Sequence, residues 1–203
     1  MPFINNTHKF IFIGNARCGS TTMYTKLGNI FANDDIVWED GRDAKPWLYH
    51  MGIKDTIDRY PFAKDYSKFC FVRNPWSRFL SGYREFIKPA HHEWSSSILK
   101  YKTFDDFCSG FTNDSISKDI HFKSLYNQMT IGGQKCMDYI GRFENMNEDF
   151  SKILYQITGN NYTLDIHLNH TASSDYAAHY CKKSKEMIED FYSTDILLLD
   201  YRF

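Results

Sequence analysis

Short, wholly apolar runs alternate along this chain with stretches where apolar residues recur every three or four positions. Lys9–Ile13 (KFIFI) and Phe69–Val72 (FCFV) have the unbroken apolar character of strands buried on both faces. Tyr139–Phe143 is a further strand candidate, and Ile36–Trp38 a short one. Met23, Leu27, Ile30 and Phe31 mark one face of a helix over Ser20–Phe31. Gly52–Tyr60 reads as helical and stops before Pro61. Pro75 opens a helix at its first turn, where a missing N–H costs nothing, and Phe79, Tyr83, Phe86 and Ile87 form its buried face. Helices are also predicted over Thr103–Ser109 and Lys118–Met129. Asn145 and Glu148 have capping-box spacing before the stripe Met146, Phe150, Ile153, Leu154 and Ile157, with Gly159 as its stop. A last helix is predicted from Ser174 to Tyr192. Strands alternating with helices predict an α/β three-layer fold, a central parallel sheet flanked by helices. Ligands of such sheets sit beyond the carboxyl ends of the strands. That directs attention to the turns after Ile13 and Val72.

The chain has 203 residues, without internal repeats or a linker rich in Pro, Gly or Ser, so a single domain over 1–203 is expected. Lys and Arg number 24 against 25 Asp and Glu, a net charge of −1. That excludes a generally basic nucleic-acid binder but leaves room for a local basic pocket. No apolar run exceeds four residues, whereas a membrane-spanning helix needs about 20. The N-terminus lacks the basic start and apolar stretch of a secretory signal, so a cytoplasmic protein is expected. Cys18, Cys70, Cys108, Cys136 and Cys181 are odd in number and contain no CxxC, which argues against a disulfide framework or a zinc site. The pair His91-His92 has no HxxxH or HExxH partner, so no metal site is expected.

In the first turn, Gly14 and Gly19 stand five apart with hydroxyl residues following, the frame of a phosphate-binding P-loop in which Ser20 replaces the lysine. A glycine-bearing turn at a helix N-terminus gathers free N–H groups at one point, and the helix dipole favours an anion there. Kinase chemistry is poorly served, because it needs the lysine on the transferring phosphate and acidic help for magnesium. The basic residue here is Arg17. The alternative is a plain strand–turn–helix with an exposed arginine.

In the second turn, Arg73 sits at the carboxyl end of the strand and Ser81 two turns along the following helix. Arginine offers a rigid, permanently charged fork suited to phosphate, and a hydroxyl can complete the cradle. Arg78 and Arg84 are expected to point elsewhere and be solvated, and a helix-entry salt bridge is the alternative role for Arg73. Two anion sites at one sheet edge suit a nucleoside with phosphates at both ends.

The segments FIFIGNARCGSTTMYTKL, FCFVRNPWSRFLSGY and DYIGRFENMNEDF, with the C-terminal HLNHTASSDYAAHY and IEDFYSTDILLLDY, carry a resemblance over residues 10–201. The chain resembles the sulfotransferases that use 3′-phosphoadenosine 5′-phosphosulfate (PAPS), most closely the branch of carbohydrate (Golgi-type) sulfotransferases and small bacterial relatives. The resemblance implies a P-loop nucleotide-hydrolase-like fold. It places Arg17 where many members carry a lysine touching the sulfuryl-bridging oxygen. Cys18, Gly19, Ser20, Thr21 and Thr22 would hold the 5′-phosphosulfate, and Arg73 and Ser81 the 3′-phosphate. The product would be adenosine 3′,5′-bisphosphate, with no metal required. A P-loop kinase or hydrolase, and a nucleotide-binding protein without catalysis, are the alternatives.

Sulfuryl transfer needs a base for the acceptor proton, and histidine titrates near working pH. Related enzymes place one in a stretch before the 3′-phosphate strand, which here is Trp47-Leu48-Tyr49-His50-Met51-Gly52 and makes His50 the expected base. Glu39 and Asp40 are second choices, and His91 and His92 are expected near the acceptor. Arg142 and Glu144 are expected to form a buried salt bridge or a cap, and Asn169–Ser174 a loop over the nucleotide. His121 and Gln128 fall in a region similar to the family's acceptor-side helix. The near-neutral charge favours a small-molecule or saccharide acceptor over a long polyanion.

Overall fold

A computed structural model describes residues 2–38, 50–88, 97–165 and 176–203. They form two compact units, Met1–Val72 with Leu125–Asn169, and Arg73–Ser124 with His170–Phe203. Glu39, Asp40, His91, His92 and the Asn169–Ser174 segment lie outside the described residues.

The first unit is built on a sheet. Its strands are β1 (Pro2–Asn5), β2 (Phe10–Ile13), β3 (Ile36–Val37), β4 (Ser67–Val72) and β7 (Tyr139–Arg142), in the order β3-β1-β2-β4-β7. β2, β4 and β7 run parallel, with Phe12 opposite Phe69 and Cys70 opposite Ile140. β1 pairs antiparallel with both β2 and β3. The sheet is therefore mixed rather than parallel, because β1 folds back on β2 through a short connection that needs no crossover helix. Period-two alternation puts Phe3, Phe10, Phe12 and Phe69 on one face, with ring centroids 6.0 Å apart for Phe3 and Phe10, 5.7 Å for Phe10 and Phe69 and 5.1 Å for Phe12 and Phe69. Helix α1 (Ser20–Ile30) covers this aromatic layer, with Tyr24 against Phe12 and Phe31, just beyond the helix, against Phe10.

Helix α6 (Met146–Thr158) packs on β7 and β4 through Met146, Phe150, Ile153 and Leu154. Gly141 on β7 is required here, since a Cβ at that position would collide with the Phe71 ring. The expected Asn145–Glu148 capping box does not form. Asp149 instead accepts the Arg142 N–H at 2.7 Å, and Glu148 pairs with Lys152 one turn on. Glu144 is exposed. Helix α2 (Ile53–Arg59) packs against the short α5 (Leu125–Met129), and a hairpin of β5 (Thr130–Ile131) and β6 (Gln134–Lys135) turns at Gly132 and Gly133.

The second unit is helical. Its elements are α3 (Pro75–Phe86), α4 (Phe104–Gly110), α7 (Lys182–Phe191) and α8 (Ser193–Leu199). Trp76, Phe79, Phe86, Phe107, Phe111, Phe122, Ile188 and Tyr192 form its core, with Phe79 and Phe111 meeting edge to face at 4.9 Å. Two predicted helices are shorter than expected. Over Lys118–Met129, Asp119 accepts the backbone N–H and pairs with the ring of His121, a turn that interrupts the helix before α5. Over Ser174–Tyr192, the described part begins with a 3-10 turn at Ala177–His179. Cys181 then starts α7, its sulfur accepting from the Ser184 N–H while the Ser184 hydroxyl accepts from the Cys181 N–H.

A candidate anion-binding site

The first turn leaves β2 at Ile13 and enters α1 at Ser20. Asn15 ties it to the neighbouring strand, its Nδ2 donating to the Phe71 carbonyl at 2.9 Å. The Cys18 N–H turns back to the Asn15 carbonyl at 3.3 Å, and the Cys18 thiol is buried against the Ala16 carbonyl. Arg17 and Gly19 both have left-handed backbones, φ 63° and 81°. Left-handed residues interspersed in a turn point successive N–H groups into one concavity, the form of an anion-binding nest. Gly19 meets this demand without a Cβ penalty, and a Cβ there would also collide with Met146. Arg17 adopts the same region with a Cβ, which costs roughly 1–2 kcal/mol. The N-cap of α1 is Gly19, which has no side chain to cap with, and no acidic residue stands in the first turn. The first intrahelical acceptor is reached by the Met23 N–H at the Gly19 carbonyl, so the amides of Ser20 and Thr21 lie ahead of the ladder.

His50 belongs to the same unit and reaches this turn. Its Nδ1 lies 2.8 Å from the Gly14 carbonyl oxygen. A carbonyl only accepts, so Nδ1 carries the proton and the lone pair of the neutral ring is on Nε2. Burial pushes the Tyr24 phenol and the Cys70 thiol up, which keeps both uncharged beside the turn.

The second turn is built differently. Asn74 is the N-cap of α3, its Oδ1 accepting from the N–H groups of Trp76 at 3.1 Å and Ser77 at 3.2 Å. Its Nδ2 donates to the Arg202 carbonyl at 2.9 Å. Pro75 has no N–H to offer. Side chains therefore carry whatever anion chemistry this turn has. Arg73 is 5% exposed and Ser81 4%. The Arg73 Nε donates to Ser77 Oγ at 2.9 Å. Ser77 and Ser81 are one helical turn apart, on one face of α3. Arg78, expected to be solvated, is buried at 1% exposure. Its Nη2 donates to the Lys123 carbonyl at 2.8 Å, and its guanidinium lies 5.7 Å from the centre of the Tyr192 ring. Arg84 instead meets the His179 ring nitrogen at 2.7 Å on the surface.

The first turn offers backbone amides and Arg17, and the second, taken by itself, a buried guanidinium and hydroxyls. Ser77 and Asn15 are contributions that sequence reasoning missed. For Ser77 the signal was its position four residues after Arg73. Among the described residues no cluster of His, Cys, Asp and Glu could hold a metal ion, and no helix is long and apolar enough to cross a membrane.

Residues 2–202 match the family described as the sulfotransferase family. An uncharacterised protein of Archaeoglobus fulgidus is 30% identical over 115 residues, which cover 55% of this chain and 82% of that protein. No solved structure matches.

Proposed function

The chain belongs to the sulfotransferase family, and from that premise we propose that it moves a sulfuryl group from PAPS to a hydroxyl, or an amine, of a small-molecule or saccharide acceptor. The fold is then of the P-loop nucleotide-hydrolase kind, and the donor supplies an activated sulfuryl group on a phosphate leaving group. The turn from Arg17 to Thr22 receives the 5′-phosphosulfate: Cys18 and Gly19 shape it, and Ser20, Thr21 and Thr22 offer amides and hydroxyls. Arg17 places a fixed positive charge where negative charge develops on the leaving oxygen. It stays protonated throughout, so it stabilises charge without donating a proton. Arg73 and Ser81 receive the 3′-phosphate. His50 takes the acceptor proton on Nε2, because its Nδ1–H is turned to the Gly14 carbonyl.

The observation that carries this reading is the start of α1, whose N-cap is a glycine, whose first turn holds no acidic residue, and which follows left-handed Arg17 and Gly19. A thermal-unfolding series tests it, comparing adenosine 3′,5′-bisphosphate, adenosine 5′-phosphate, and ATP with magnesium. The bisphosphate is expected to raise the midpoint most, as a ligand of the folded state alone does by mass action. A larger shift with ATP and magnesium would replace this reading with a kinase or hydrolase. Bisphosphate binding with no sulfuryl transfer to any hydroxyl or amine in an acceptor screen would leave a nucleotide-binding protein.

A further inference from the structure

We propose that Ser77 is a positioning residue which fixes the edge of Arg73 presented to the ligand, an inference that rests on the assignment of Arg73 to the 3′-phosphate. Arg73 has one Nε–H, and that proton is directed at Ser77 Oγ at 2.9 Å with both residues buried. An oxyanion can meet a guanidinium side-on, through Nε and one Nη, or end-on, through both Nη groups. With Nε engaged by Ser77, the rotation of the guanidinium plane is set, and with it the direction from which the 3′-phosphate meets Arg73. Ser77 can perform this task because its own backbone is held: its N–H donates to Asn74 Oδ1, and Asn74 Nδ2 is tied in turn to the Arg202 carbonyl. The chain of bonds runs from the C-terminal residues through the cap to Ser77 and then to Arg73. It sets the rotation of the fork as well as its location.

The test is a double-mutant cycle read by calorimetric titration of adenosine 3′,5′-bisphosphate and of adenosine 5′-phosphate, which lacks the group in question. Ser77→Ala is expected to weaken the bisphosphate about tenfold, the scale of one charge-assisted hydrogen bond. It should leave adenosine 5′-phosphate unchanged, an outcome that a general loss of structure would not give. Ser77→Thr, which keeps the hydroxyl, should restore most of the loss. In an Arg73→Lys background, which has no Nε to orient, Ser77→Ala should have no further effect on the bisphosphate. If Arg73→Lys lowers bisphosphate affinity but Ser77→Ala does not, the positioning role is wrong and the 3′-phosphate assignment stands. If Arg73→Lys leaves the preference for bisphosphate over 5′-phosphate intact, the assignment itself fails and the inference falls with it.

Discussion

The turn into α1 and the turn into α3 both join a parallel strand to a helix, yet they treat their backbone amides in opposite ways. At α1 the residue before the helix is a glycine, which has no side chain to cap with, and the loop bends through two left-handed residues. At α3 the first helical residue is proline and the next two amides are held by Asn74. A helix N-terminus attracts anions only through donors that remain available. The amides of Trp76 and Ser77 are therefore already engaged by Asn74, whereas those of Ser20 and Thr21 lie ahead of the hydrogen-bond ladder of α1. It follows that Arg73, Ser77 and Ser81 are buried side chains set by packing, whereas Arg17 stands half-buried on a bent loop. Arginine at both turns conceals two different designs.

The comparison is broken most sharply at the first turn. His50→Ala should lower kcat by about 10²–10⁴, the range of a general base. On the acid side the wild-type rate should fall as the ring gains a second proton and can no longer accept one. His50→Gln, tested across pH, should lose that limb. An unchanged acid limb in the glutamine variant would move the base elsewhere. Arg17→Ala should lower kcat by about 10²–10³, comparable to deleting one preorganised donor of developing charge. Arg17→Gly should cost as much activity and yet raise stability by up to about 1 kcal/mol, because glycine relieves the left-handed strain that alanine retains. Urea unfolding of the two variants, read beside their turnover, separates strain from function. Equal stabilities would mean that the φ of 63° carries no cost.

Much of this is legible in the sequence. The runs Phe10–Ile13 and Phe69–Val72 became β2 and β4, since both faces of a central strand must be apolar and that leaves a strong local pattern. The glycine spacing around Arg17 likewise marked a bent loop. Pro2–Asn5 was not seen as a strand, because four residues mixing Pro and Asn acquire their role only by pairing with β2. The burial of Arg78 was illegible for a related reason. Its partners are a carbonyl at Lys123 and a ring at Tyr192, both far along the chain. The Asn145–Glu148 spacing misled because Asp149, one residue further, reaches back to Arg142. Local motifs compete with equally local rivals, and packing decides between them. Ser77 shows the limit for function. Its spacing from Arg73 permits a bond, and only the side-chain geometry says that the bond is made through Nε.

The smallest expected effect bears most directly on the difference between the turns. Asn74→Ala uncovers the amides of Trp76 and Ser77 and removes the tie to the Arg202 carbonyl. Stability should fall by about 1–2 kcal/mol, as for other lost caps. Asn74→Asp keeps both cap bonds and suits the helix dipole, so its stability should stay within about 0.5–1 kcal/mol of wild type, the loss of one donor. Bisphosphate affinity sharpens the comparison. If the second turn holds its anion through side chains, uncovering two amides in Asn74→Ala changes affinity by less than about threefold, a few tenths of a kcal/mol. If that affinity rises well beyond threefold, the amides of α3 can serve an anion as those of α1 do. Asn74 would then be what keeps the two turns chemically distinct.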